Sequence, residues 1–232
     1  MFRAAFLSCL VFTTTLMTGC WDGVSRQVLA TVLSAQGEVI YQTDEGGDLR
    51  PLTLQTNPGA GSTLRTGADG RANLALVPGV LVQISADSEL KIEALRLRKD
   101  GNETDDGMRD RTARARLNRG SMSVVFQRQD ASDLRFTIGT PNVAISADED
   151  CVCRVSVQDG NSRVTVVRGK AYAWAGNPEP SIVKAGYFQD WPSGSMAIIA
   201  DDPRGQSDVI DALEAERELL QLQAQHLNRL PF

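Results

Sequence analysis

From Val28 to about Trp191 the chain alternates apolar and polar residues in short runs, and Gly, Asn, Asp or Pro interrupts the runs at intervals of about 8 to 12 residues. Alternation sends successive side chains to opposite faces of an extended backbone, so a chain written this way must bury one face of many short strands. Ala72, Leu74 and Leu76 share one face, and Val80, Val82 and Ile84 another, joined by a Pro78-Gly79 link short enough for a tight hairpin. Met122, Val124 and Phe126, then Leu134, Phe136 and Ile138, repeat the pattern. Helical periods are absent from this stretch. The expected fold is all-β, a two-sheet sandwich, roll or solenoid-like domain over residues 28–191. The polar segment "RKDGNETDDGMRDR", residues 98–111, reads as a solvated loop between strands, because its interleaved acids cancel the field of its bases.

The pattern changes after Trp191. Residues 192–207 read as a linker, and Asp208 to Leu230 as an amphipathic α-helix with Val209, Leu213, Leu220, Leu227 and Leu230 along one stripe. Asp208 and Asp211 near its start and Arg229 near its end suit the helix dipole. Docking on the β domain is the first reading. The rival is a partner-binding or self-associating helix using Leu213, Leu220 and Leu227, against which Glu216 and Gln223 on the same seam count.

The N-terminal segment addresses the chain. Ala4 to Met17 is an apolar run of fourteen residues behind Arg3, the length of a secretory h-region and short of the roughly 20 residues that span a bilayer. It is followed by "LMTGC", which resembles the lipobox of bacterial lipoproteins. The resemblance implies that residues 1–19 are a signal peptide, that Cys20 receives the lipid and becomes the new N-terminus, and that residues 20–27 are a tether. The alternative is an ordinary signal peptide with Cys20 left as a thiol. Trp21, in place of the aspartate linked with inner-membrane retention, favours the periplasmic side of the outer membrane.

Several chemistries are excluded or weakened. A net charge of −5 leaves no summed field for nucleic acid. Of the four cysteines, Cys9 leaves with the signal peptide and Cys20 is taken by lipid, so only Cys151 and Cys153 remain. Alternation puts both on one apolar strand face with Val155 and Val157. Residues two apart on a strand have Cβ atoms about 6 to 7 Å apart, whereas a disulfide needs about 3.5 to 4.5 Å. Buried thiols are the first reading, a strained bridge at a bend the second, and a metal site lacks a fourth ligand because the single histidine, His226, lies on the far helix. With one histidine no Ser or Cys triad can be assembled, and Asp148, Glu149 and Asp150 are the only residual route to catalysis. The expectation is a non-enzyme without cofactor or metal.

"GSTLRTGADGRANLALVPGVLVQISADSELKI", "RARLNRGSMSVVF", "FTIGTP" and "RVSVQDGNSRVTVVRGKAYAW", in that order, resemble the FecR domain family. The shared features are a Leu-x-Thr-Gly turn, a Leu-x-x-Gly-x-x-x-Val hairpin, a Thr-Pro step and a closing Val-x-Val strand before Gly. "ADEDCVCRV" departs from the Gly-Thr-x-Phe step that many members have near this position. The resemblance implies, from its best-known members, the periplasmic part of a membrane sensor that relays iron-siderophore uptake to a cytoplasmic anti-sigma segment. No counterpart of that segment is read in this sequence. The expectation is therefore a stand-alone, lipid-anchored envelope module that recognises an unidentified envelope protein, as a signalling accessory. The alternatives are a structural subunit of an envelope assembly with the helix as its joint, and, less favoured, an enzyme.

Overall fold

In the computed structural model the described residues are 24–43, 47–99, 108–128 and 132–228. The strands are β1 (Val24–Gln27), β2 (Thr31–Gln36), β3 (Val39–Gln42), β4 (Arg50–Pro51), β5 (Thr63–Thr66), β6 (Arg71–Val77), β7 (Val80–Ile84), β8 (Glu89–Lys99) and β9 (Met108–Phe126). They continue as β10 (Asp133–Gly139), β11 (Ala144–Ala147), β12 (Cys151–Gln158), β13 (Asn161–Arg168), β14 (Lys170–Trp174), β15 (Ser181–Lys184), β16 (Tyr187–Trp191) and β17 (Ala197–Ile198). A 3-10 turn at Ile199–Asp201 then leads into the helix α1 (Pro203–Leu227).

Hydrogen bonding runs through all of these strands as one open sheet folded into two layers. The front layer is ordered β4-β3-β5-β8-β9-β10-β11-β14-β15, with β1 on the distal half of β8. The back layer is ordered β2-β6-β7-β9-β12-β13-β16-β17. β9, nineteen residues long, belongs to both. Up to Arg119 it pairs with β8, and from Gly120 onward with β12 and β7. The turn between layers falls at Gly120, whose φ of +82° suits glycine and whose missing Cβ makes room for Ser88. The Ser88 hydroxyl accepts a 2.9 Å hydrogen bond from the Ser121 N–H, pinning the corner. After Phe126 the chain crosses back and β10 runs parallel to the first half of β9.

The inner faces of the two layers meet in a single core. Leu90, Ile92, Leu95, Leu117, Phe136 and Ile138 come from the front, and Leu74, Val82, Ile84, Met122, Val124, Val155 and Val164 from the back. The inward residues that alternation assigns on β6, β7, β9 and β10 are all buried there.

Several boundaries differ from the sequence reading. Strand structure starts at Val24, inside the segment read as a tether, because Val24–Gln27 pairs with Arg96–Lys99. The segment read as a linker carries β17, which extends the back layer from β16, then the 3-10 turn and the first turn of the helix. The helix starts five residues before Asp208, where Asp202 accepts hydrogen bonds from the N–H groups of Arg204 (2.8 Å) and Gly205 (3.1 Å) and Pro203 takes the first helical position. Strand also claims both ends of the expected 98–111 loop, up to Lys99 and from Met108. Residues 100–107, Cys20 and Leu230 lie outside the described residues.

If Gly120 is the corner of the fold, Gly120→Ala forces a side chain into left-handed backbone against Ser88. It is expected to destabilise the chain by more than about 1 kcal/mol. Denaturant unfolding reads this directly, and an unchanged midpoint would contradict the corner assignment.

Candidate functional site

The outer faces of the two layers have different fates. On the back layer, Ser34, Asn73, Gln83, Ser123, Arg154 and Thr165 form a polar row across neighbouring strands. The Asn73 amide donates to the Ser34 hydroxyl (2.8 Å), Gln83 donates to the Asn73 carbonyl oxygen (3.0 Å), and Arg154 donates to Ser123 (3.0 Å). Beside it runs an apolar row of Leu81, Val125 and Val152.

Helix α1 covers both rows. Ala212 and Leu219 pack with Leu33, Leu81, Val125 and Val152, while the acids of the helix reach the polar groups. Asp208 accepts from the Thr165 hydroxyl (2.8 Å) and sits 3.3 Å from Arg154; Asp211 lies 3.0 Å from the same guanidinium. Glu216 takes two hydrogen bonds from Arg168, and Glu218 accepts from Asn73 and Gln83. Burial holds the Asp208 carboxyl above its usual range, although Thr165 and Arg154 pull the other way.

The buried residues of the helix are Gly205, Asp208, Ala212, Ala215, Glu216 and Leu219. This differs from the expected stripe: Leu213 and Leu220 are half-buried and Leu227 is 56% exposed. The stripe is offset because the surface beneath is polar at one end, so acids and alanines face it in place of leucines.

On the front layer nothing among the described residues covers the outer face. β8, β9 and β10 project Lys91, Arg96, Arg98, Arg114, Arg116 and Arg135 from it, with Glu93, Asp110 and Asp133 among them. Arg116 pairs with Glu93 (2.8 Å), Arg98 with Asp110 (3.4 Å) and Arg135 with Asp133 (3.3 Å). Arg96 and Arg114 stand exposed between these pairs. At the far end of the same face, Tyr172 and Trp174 on β14 lie with ring centroids 6.2 Å apart, and Tyr172 is opposite Ile182 of the edge strand β15. Trp174 is 36% and Ile182 40% exposed. The sequence reading had no signal for either patch, since summed charge hides a local excess and an outward aromatic on a strand looks like any other.

The other candidates do not converge. Cys151 and Cys153 both point into the core as free thiols, and contact with Cys151 together with burial pushes the Cys153 thiol well above its usual range. A thiol held neutral in this way is a poor nucleophile or ligand. The acidic turn is divided among separate partners: Asp148 accepts from the Tyr172 hydroxyl (3.0 Å), Glu149 pairs with Lys170 (3.2 Å), and Asp150 accepts from the Arg128 N–H (2.8 Å). His226 lines an open groove with Leu33, Leu54 and Leu222, on the far side of the helix-covered layer from the cysteines. No cluster of three or more His, Cys, Asp or Glu suited to a metal occurs among the described residues, and no helix among them is long and apolar enough to cross a membrane.

Replacing Leu219 with Ala removes the apolar anchor of α1 and should cost about 2 to 5 kcal/mol. Leu227→Ala should change stability by less than about 0.5 kcal/mol. Denaturant unfolding followed by the fluorescence of the buried Trp191 compares the two; equal effects would mean the helix is seated on a different face.

Residues 62–172 match the model of the family described as FecR protein. No curated protein sequence matches the chain. Two crystal structures, at 2.50 Å and 1.65 Å, of a protein from Parabacteroides distasonis ATCC 8503 named as a candidate anti-sigma factor are similar to it over 58% of this chain and 57% of theirs. Identity is 14% and 13%, with TM-scores of 0.40. The chain thus spans little more than half the length of those structures.

Proposed function

We propose that the chain, whose residues 62–172 match the model of the family described as FecR protein, is a lipid-anchored cell-envelope protein whose β domain recognises another envelope protein, as a non-catalytic signalling accessory. The observation that carries this reading is the corner beside the edge strand β15, where exposed Trp174 and Ile182 flank the half-buried Tyr172. Large amphipathic rings supply most of the binding energy where proteins meet. An edge strand adds unpaired main-chain groups that an extended partner segment can join. The helix-covered back layer supports the same choice, because its outer face is already occupied by α1.

The anchor is Cys20, in the "LMTGC" context, facing the periplasm and with the outer membrane favoured. Several acyl chains hold a protein stably, since one chain alone is marginal. The dispersal of Asp148, Glu149 and Asp150 among separate partners argues against acid-base work at that turn, where catalysis would need convergent groups.

Two measurements test the reading. Cys20→Ser should move the protein from the detergent phase to the soluble periplasmic fraction; unchanged partition would end the lipoprotein reading. A photocrosslinking residue in place of Trp174 should give a discrete protein adduct in cells, and the same residue in place of Ile210, on the outer side of α1, should not. Adducts of equal strength from both positions, or none from position 174, would overturn recognition at the corner.

A further inference from the structure

The arginine-bearing half of the front layer carries a second inference, which rests on the Cys20 anchor. We propose that the outer face of β8, β9 and β10 lies against the anionic phospholipid surface of the membrane that holds the anchor. The chain as a whole is acidic, at −5, yet this face gathers an excess of positive charge. Arg96, Thr112 and Arg135 are cross-strand neighbours in one row, and Arg114 is two residues along β9 from Thr112. Neighbouring strands are about 4.8 Å apart and such rows about 7 Å apart, so three guanidinium groups share a patch the size of a few headgroups. Guanidinium groups bind phosphate oxygens in pairs of parallel hydrogen bonds.

The tether brings the patch to the membrane. β1 begins at Val24, opposite Lys99 at the end of β8. Cys20 is four residues upstream, and four residues extend at most about 14 Å. The Lys99 end of β8 is therefore held within one to two screening lengths of the headgroups at physiological salt, and Arg96 lies three residues, about 10 Å, further along the strand. The covered back layer does not offer such a face, since Arg154 and Arg168 on its outer side are engaged by acids of α1 and Arg163 by Asp190 and Asp202. The rings of the aromatic corner, on β14, are four strand spacings from β8, roughly 19 Å, and two from β10, roughly 10 Å, so the corner borders the arginine patch on the same face.

The test uses the protein isolated from the envelope and incorporated into vesicles, with the single substitution Thr112→Cys as a reporter in the arginine row. Cys151 and Cys153 are buried and silent toward a membrane-impermeant maleimide. In vesicles of phosphatidylglycerol and phosphatidylethanolamine the introduced thiol should react about tenfold or more slowly than in pure phosphatidylcholine vesicles. Adding Arg96→Glu, Arg114→Glu and Arg135→Glu should restore the faster rate. A thiol introduced by Ile210→Cys on the outer side of α1 should react alike in both.

Equal rates for Thr112→Cys in the two vesicle types, or slow reaction that survives the charge reversals, overturn the proposal and leave the anchor standing. Failure to enter vesicles of either kind overturns the anchor and the proposal with it. A photocrosslinker in place of Arg114 that captures protein and no lipid in cells would assign the face to an acidic partner and likewise overturn it.

Discussion

A single strand, β9, carries hydrogen bonds to β8 and β10 in one layer and to β7 and β12 in the other, so the register of both layers is set by one continuous backbone. Its inward residues grow from small to large along the strand, from Ala113 and Ala115 to Leu117 in the front half and Met122, Val124 and Phe126 in the back. The change of layer depends on Gly120, the one position in the strand where backbone with φ > 0 and close approach to Ser88 coincide. Everything that distinguishes the two outer faces follows, because the fold at Gly120 turns one side of β9 outward among arginines and the other outward beneath α1.

That second face is held by a mixed interface. Ala212, Leu219 and their sheet partners supply a modest apolar strip, and the acids of α1 satisfy a polar row that water would otherwise have to solvate. Arg154 illustrates the balance: it is 10% exposed and is shared by Asp208, Asp211, Ser121 and Ser123. Removing one member of such a group leaves the others buried without partners, which costs more than the assembled group contributes. The helix is therefore specific in its seat even though it buries few large side chains.

The strands were legible because alternation with turn residues reports the inner face directly. Leu74, Val82, Val124 and Phe136 had to face a core, and they do. The outer face was less legible, since Asn73, Gln83, Ser123 and Thr165 read the same whether water or a helix covers them. For the same reason the helix was misread by about one residue in its stripe. Counting leucines picks Leu213, Leu220 and Leu227, whereas the sheet demands small and acidic groups at Asp208, Ala212, Ala215 and Glu216. Its start was written in Asp202-Pro203, a cap followed by a residue preset for the first turn, whereas Asp208 and Asp211 further along carry the same acidic signature of a helix start. The arginine face was hidden by a net charge of the opposite sign.

The asymmetry between a closed back layer and an open front layer is the claim on which the functional reading stands, and amide hydrogen exchange of the full chain tests it most directly. If α1 is an integral cover, the amides of Ala212 to Leu219 should exchange as slowly as those of β12 beneath them, through the same global opening. Exchange in α1 that is orders of magnitude faster than in β12 would mean that the helix opens on its own, that the polar row is available to a partner, and that the two faces are not distinguished as described.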